Sequence, residues 1–148
     1  MKKILCIALS FVFLCLAGCT TRSSKSYTFN VETGDKIKVT LETGDGYQLT
    51  QKNDHFMINK NDELVSEGFF ITTSTQQQYE MAIENLTVKE DGSQDHCEYT
   101  YYETVGISGK EYNYLVKLND AQTGIIVCNF IGKDEAVTAF ERLFFEKN

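Results

Sequence analysis

From residue 27 onward the chain alternates apolar and polar positions in short runs, the period of half-buried β-strands. Residues 31–39 and 41–49 form a near-repeat, each with apolar ends around Glu32-Thr33-Gly34-Asp35 or Glu42-Thr43-Gly44-Asp45. Each copy predicts a strand end, a turn and a strand start, with Gly34 and Gly44 free to take positive φ. The isolated aspartates lack the dense ligand spacing of a calcium loop, so the repeat is read as hairpin punctuation. Further strands are predicted at 55–58, around Leu64 and Val65, and at 68–73, with a turn at 59–62.

At Thr75 the period lengthens. Thr75 and Gln78 have capping-box spacing, and Tyr79, Ala82, Ile83 and Leu86 then share one helical face. Residues 89–95 are polar throughout and predict a loop. Residues 96–105 and 111–118 predict a hairpin turning at 106–110, and 125–131 is the most apolar strand, apolar on both faces and therefore mid-sheet. Asp134 then caps a predicted terminal helix with an inner stripe of Ala136, Val137, Phe140, Leu143 and Phe144. The expected architecture is α+β: a single, mainly antiparallel sheet packed with a middle helix and a C-terminal amphipathic helix. This order of elements, with the Ala136, Val137, Phe140 and Phe144 spacing, resembles the PsbP-like domains, small α/β sandwiches found in bacterial lipoproteins and in photosystem II. The resemblance spans residues 27–148 and implies a fold; it carries over no functional residue.

The N-terminus follows a different rule. Lys2 and Lys3 precede thirteen residues (4–16) that are apolar except for Ser10, and Leu16-Ala17-Gly18-Cys19 closes the run. A basic start, a short apolar stretch and small residues at the end make a secretory signal. Thirteen apolar residues fall short of the ~20 that span a bilayer. The closing four residues resemble the lipobox of bacterial lipoproteins, which implies diacylglyceryl transfer to the Cys19 thiol and cleavage before it. The expected organisation is a signal peptide at 1–18, lipidated Cys19 with a polar tether to residue 26, and one domain at 27–148, anchored outside the cytoplasm to the cell membrane or an outer membrane.

Charge narrows the partners. The chain has 14 Lys and Arg against 21 Asp and Glu; Lys2 and Lys3 leave with residues 1–18 and no acid does, so the exported chain carries 12 − 21 = −9. Such a surface repels nucleic-acid phosphates and, on average, anionic lipid headgroups. Membrane attachment then falls to the lipid on Cys19, leaving an envelope protein or a small ligand as the expected partner. Of five cysteines only Cys97 and Cys128 remain in the domain. In a linear meander they lie about 16 Å apart, too far for a disulfide, so both are predicted free, with Cys128 a small buried apolar residue.

Candidate chemistry is sparse. Five of the eight tyrosines fall in the predicted hairpin, and a turn centred near Ser108 places Tyr99 and Tyr101 on one face and Tyr102, Tyr112 and Tyr114 on the other. The last three form the candidate binding surface, weighed against ordinary cross-strand aromatic pairing. Asp91, Asp95, His96 and Glu98 match no metal-site spacing. No nucleophile elbow or phosphate loop is present, so neither catalytic residues nor a cofactor are assigned. The favoured function is a non-catalytic binding or interaction module; the alternatives are an acidic inhibitor or immunity-type protein for a cationic envelope enzyme, and a carboxylate-based hydrolase.

Overall fold

The computed structural model describes residues 23–107 and 109–148. The signal sequence, Cys19 and the first part of the tether lie outside the described residues. The elements run β1 (Ser24–Asn30), β2 (Lys36–Glu42), β3 (Tyr47–Gln51), β4 (His55–Lys60), β5 (Glu63–Thr72), α1 (Thr73–Ile83), β6 (Lys89–Gln94), β7 (Cys97–Gly106), β8 (Gly109–Leu118), β9 (Thr123–Asn129), α2 (Lys133–Glu141) and β10 (Leu143–Lys147). No helix among the described residues is long and apolar enough to cross a membrane.

The class is α+β and every ladder is antiparallel, but there are two sheets where one was expected. A small sheet has the order β1-β2-β10 and a large one the order β3-β4-β5-β9-β8-β7-β6. The near-repeat explains the split. Its first copy is the β1–β2 hairpin, turning at Gly34 with φ 90°. Its second copy carries the chain from one sheet into the other, and there Asp45 (φ 58°) and Gly46 (φ 83°), not Gly44, adopt the left-handed conformation. β1 also begins at Ser24, inside the stretch read as tether.

The sheets face each other across the main core. Ile37, Val39 and Leu41 of β2 are fully buried against Leu49, Phe56, Ile58, Val116 and Ile125 of the large sheet. β9 is the fourth of seven strands, as its two-sided apolarity demanded. Helix α2 adds Ala136, Ala139 and Phe140 to this core.

Its C-terminal boundary departs from the helical stripe. The helix stops at Glu141, and Leu143 and Phe144 begin β10, which pairs with β2. The N-cap is Gly132, whose carbonyl accepts from Ala136 N at 2.9 Å; Asp134 sits in the first turn, where its charge suits the positive helix end. Helix α1 lies on the opposite face of the large sheet. Its cap is Thr72, whose Oγ1 accepts from Thr75 N at 3.3 Å, so Thr75 is the capped residue and not the cap. Only part of the expected stripe is used: Ile83 is buried with Tyr102, Leu115 and Ile126, Leu86 is half-buried, and Tyr79 and Ala82 face solvent.

The polar run at 89–95 is mostly strand. As β6 it forms one edge of the large sheet, and its Lys89, Glu90 and Asp91 are the charged residues that discourage edge-to-edge association.

A candidate binding groove beside helix α1

Strand register decides which side chains can act together. In the β7–β8 ladder Gly106 faces Gly109, so Tyr101 faces Tyr114 and Tyr102 faces Asn113. The turn centre expected near Ser108 is displaced by half a residue, and opposing partners shift by one. A one-residue shift exchanges the faces of a strand. Tyr99, Tyr101, Tyr112 and Tyr114 therefore share the main-core side, and Tyr102 points to the α1 side.

The candidate surface of Tyr102, Tyr112 and Tyr114 is thus split between two faces and mostly buried. Tyr114 stacks flat on Phe140 with ring centroids 3.7 Å apart, and Tyr99 meets Phe140 edge-on at 4.9 Å. Tyr102 packs with Ile83 and Leu115. Tyr112 is half-buried, with the Lys110 amine 5.6 Å from its ring centre. Burial pushes the phenols of Tyr101, Tyr102 and Tyr114 well above their ordinary range. Tyr101 donates to Glu103 Oε1 at 2.8 Å. The Glu103 carboxyl is held below its usual range by Lys110 and then by Tyr101, against the opposing effect of burial.

The same register explains the thiols. Cys97 and Cys128 are free. Cys97 faces Leu118 on the core side, whereas Cys128 faces Asn113, the residue opposite Tyr102, on the α1 side. Leu115 faces Ile126 rather than Cys128, because the β8–β9 turn lies one residue earlier than expected. Cys128 is half-exposed where full burial was expected. Burial raises both thiol pKa values, that of Cys128 to about 11.

The concave feature on the α1 side was not visible in the sequence. Helix α1 leans over β9 and β8, and Gly124 permits the approach: a Cβ there would meet Gln76 Oε1 at 2.5 Å. The α1-side face of β6, β7 and β8 beyond the helix stays open as a trough. Its floor has two cross-strand rows, Asp91–Thr100–Leu115 and Ser93–Glu98–Lys117. Its wall is Gln76, Gln77, Glu80, Met81, Ile83 and Glu84 of α1 and the residue after it. Two adjoining lobes of ≈ 460 and ≈ 540 Å³ share Glu80, Asp91, Thr100 and Leu115.

Charge in the trough leans negative. Glu80, Glu84, Asp91 and Glu98 stand against Lys89 and Lys117. Thr100 donates to Asp91 Oδ1 at 2.7 Å and Gln76 Nε2 to Glu80 Oε1 at 2.8 Å, so two of the carboxylates are oriented before any ligand arrives. No family model and no curated protein matches the chain.

The acids and His96 singled out in the sequence divide between places. Asp91 and Glu98 line the trough; Asp95 (φ 42°) and His96 form the β6–β7 turn, and His96 borders a separate hollow with Asn119, Asp120 and Lys147. Among the described residues no three His, Cys, Asp or Glu side chains converge as a metal site. His55 pairs with Asp54 at 2.8 Å and stacks on Phe69 at 5.2 Å, away from the trough lining. What the trough offers a ligand is hydrogen bonding: its lining carries carboxylates, amides, amines and the hydroxyl residues Ser93, Tyr99 and Thr100 over an apolar Leu115 floor.

Proposed function

We propose that this chain is an extracytoplasmic bacterial lipoprotein, tethered through a lipid on Cys19, whose PsbP-like domain is a non-catalytic recognition module. The trough beside α1 is its ligand site, and an amine-bearing small molecule or a basic segment of an envelope protein is the chemistry that suits it. One observation carries the reading: a groove wide enough for a ligand, with four carboxylates against two lysines and no histidine or thiol in its lining. The Leu16–Cys19 sequence supports the anchor.

Two measurements test this. Mass spectrometry of the N-terminal peptide is expected to find diacylglyceryl on Cys19, and Cys19→Ser should lose the lipid label; a mature chain that begins elsewhere or keeps the label would overturn the anchor. A photo-crosslinking residue in place of Met81 should capture a partner in cells that the same residue at Lys52 does not. Equal capture at both positions, or capture unaffected by Glu80→Gln with Asp91→Asn, would remove the trough as the site.

A second reading, an inhibitor of a cationic envelope enzyme, is favoured by the net charge of −9. Its binding would weaken steeply as salt screens the charge.

A further inference from the structure

Among the described residues eight large apolar side chains are exposed, and five of them, Val88, Val105, Ile107, Phe130 and Ile131, belong to one end of the large sheet. Val105 is 85% exposed, Ile107 fully exposed, and Phe130 and Ile131 43% and 52%. Register brings them together. Tyr112 of β8 faces Asn129 of β9, so Phe130 and Ile131 leave the sheet beside the β7–β8 hairpin tip. Val88 accepts from Glu103 N at 3.4 Å, on the flank of that hairpin.

Two lysines flank this apolar cluster, Lys110 beside Glu103 and Lys133 with its Nζ 3.6 Å from Glu90. The hairpin tip (105–110) and the β9–α2 loop (129–133) themselves carry these two lysines as their charged residues, with the acids on the flanking residues Glu103, Glu111 and Asp134. Apolar side chains flanked by lysines on an acidic body are the composition of a membrane-interface contact.

The chain enters the domain at the same end. Thr43 N donates to Ser23 O at 2.9 Å, and Tyr47 N, the first residue of β3, donates to Gly44 O at 3.2 Å. The β3 start, the β9 end and the β7–β8 tip all lie at one end of the large sheet. From β3 to β9 is three strand spacings, about 14 Å. Four residue steps separate Ser23 from Cys19, a reach of at most ~14 Å. An acyl chain on Cys19 therefore brings the bilayer close to this end of the domain.

We infer that the β7–β8 tip and the β9–α2 loop form a second membrane contact, inserting Ile107, Phe130 and Ile131 among lipid headgroups with Lys110 and Lys133 at the phosphates. The orientation rests on the Cys19 anchor proposed above; the exposed apolar cluster does not. The domain then stands on its hairpin tip, and burial of the apolar side chains works against the mean repulsion of a −9 body.

The chain has no tryptophan, so Ile107→Trp supplies a single fluorescent reporter. The full-length processed protein would be mixed with vesicles of phosphatidylcholine and phosphatidylglycerol, with and without brominated acyl chains, and Lys52→Trp, at the opposite end of the large sheet, serves as the control. The Ile107→Trp emission is expected to shift to the blue and lose most of its intensity to bromolipid, and the control to do neither. Lys110→Glu with Lys133→Glu should weaken the quenching. A lipidated protein whose reporter stays water-exposed overturns the second contact and leaves the anchor standing. Quenching of a chain that carries no lipid supports the contact and removes the anchor. A blue shift without bromolipid quenching assigns the surface to a protein or a second copy, and also overturns it.

Discussion

Replacing Asp35 tests how the two sheets are joined. Asp35 ends the β1–β2 turn and is 9% exposed. Its Oδ2 accepts from Gln122 N at 2.8 Å and Thr123 Oγ1 at 2.9 Å, both at the β8–β9 turn of the large sheet, and its Oδ1 meets Lys147 Nζ at 2.9 Å. Lys147 also donates to Asp120 O at 2.6 Å. One carboxylate thus ties the small sheet to the large one at two points and to the last strand at a third. In Asp35→Asn the shape survives, but the charge is lost and an amide N–H is turned toward an ammonium. Hydrogen bonds to a charged group contribute about 1.5–3 kcal/mol each, of which an amide oxygen retains part. The bridge to a partly exposed lysine adds about 0–1 kcal/mol. The expected loss is about 2–3 kcal/mol, a fall in Tm of roughly 8–12 °C for a domain of this size. Calorimetry would measure it, and Lys147→Met alone and combined with Asp35→Asn would isolate the bridge.

The acid limb carries the same information. Lys147, then Thr123 and Gln122, hold the Asp35 carboxyl below its ordinary 3.8, against the opposing effect of burial. A lowered folded pKa means a contribution complete above pH 3.8 that disappears as pH falls through the lower folded value. The wild-type protein should lose this stability below about pH 4, and Asp35→Asn should lack that part of the slope. A Tm within a degree or two of wild type, or an unchanged acid limb, would refute the clasp.

Three further outcomes are expected. Gly68→Ala places a Cβ 2.0 Å from Cζ of the fully buried Phe56, so it should cost about 3 kcal/mol in denaturant unfolding. Tyr114→Ala removes a buried ring stacked on Phe140 and should cost roughly 3–5 kcal/mol, whereas Tyr112→Ala, half-exposed on the same face, should cost at most about 1–2 kcal/mol. Equal costs would contradict the register. Alkylation of Cys128 by iodoacetamide, followed by mass spectrometry, should run about two orders of magnitude slower at pH 8 than for an unperturbed thiol. Its rate should rise about tenfold per pH unit as the pH approaches the thiol's pKa of about 11, and rapid alkylation at pH 7 would be inconsistent with that burial.

Where two-sided apolarity or alternation governed a segment, its place was legible. Ile125, Ile126 and Val127 announced the central strand, and the β7–β8–β9 meander followed from its turns. Where partners far along the chain decided, local pattern misled. Leu143 and Phe144 continue the spacing of α2, yet pairing with β2 draws them into β10, tertiary pairing outweighing helical period. β6 has no apolar alternation because one of its faces lines the trough and the other is pressed by an aromatic ring: a Cβ on Gly92 would lie 2.4 Å from Tyr99 Cζ. The tyrosine faces turned on one residue of register, which sequence at a Gly106–Gly109 turn does not specify. The trough depends on where α1 crosses the sheet, set by Gln76 over Gly124 some fifty residues apart.

Strand β10 has a consequence for the order in which the molecule can be made. β2 lies between β1 and β10, and its fully buried Ile37, Val39 and Leu41 are matched on the second side only by residues 143–147. The contact closes a loop of roughly one hundred residues, the kind of long-range pairing that forms late. The small sheet is therefore completed only when residues 143–147 are in place, after every strand of the large sheet has been made.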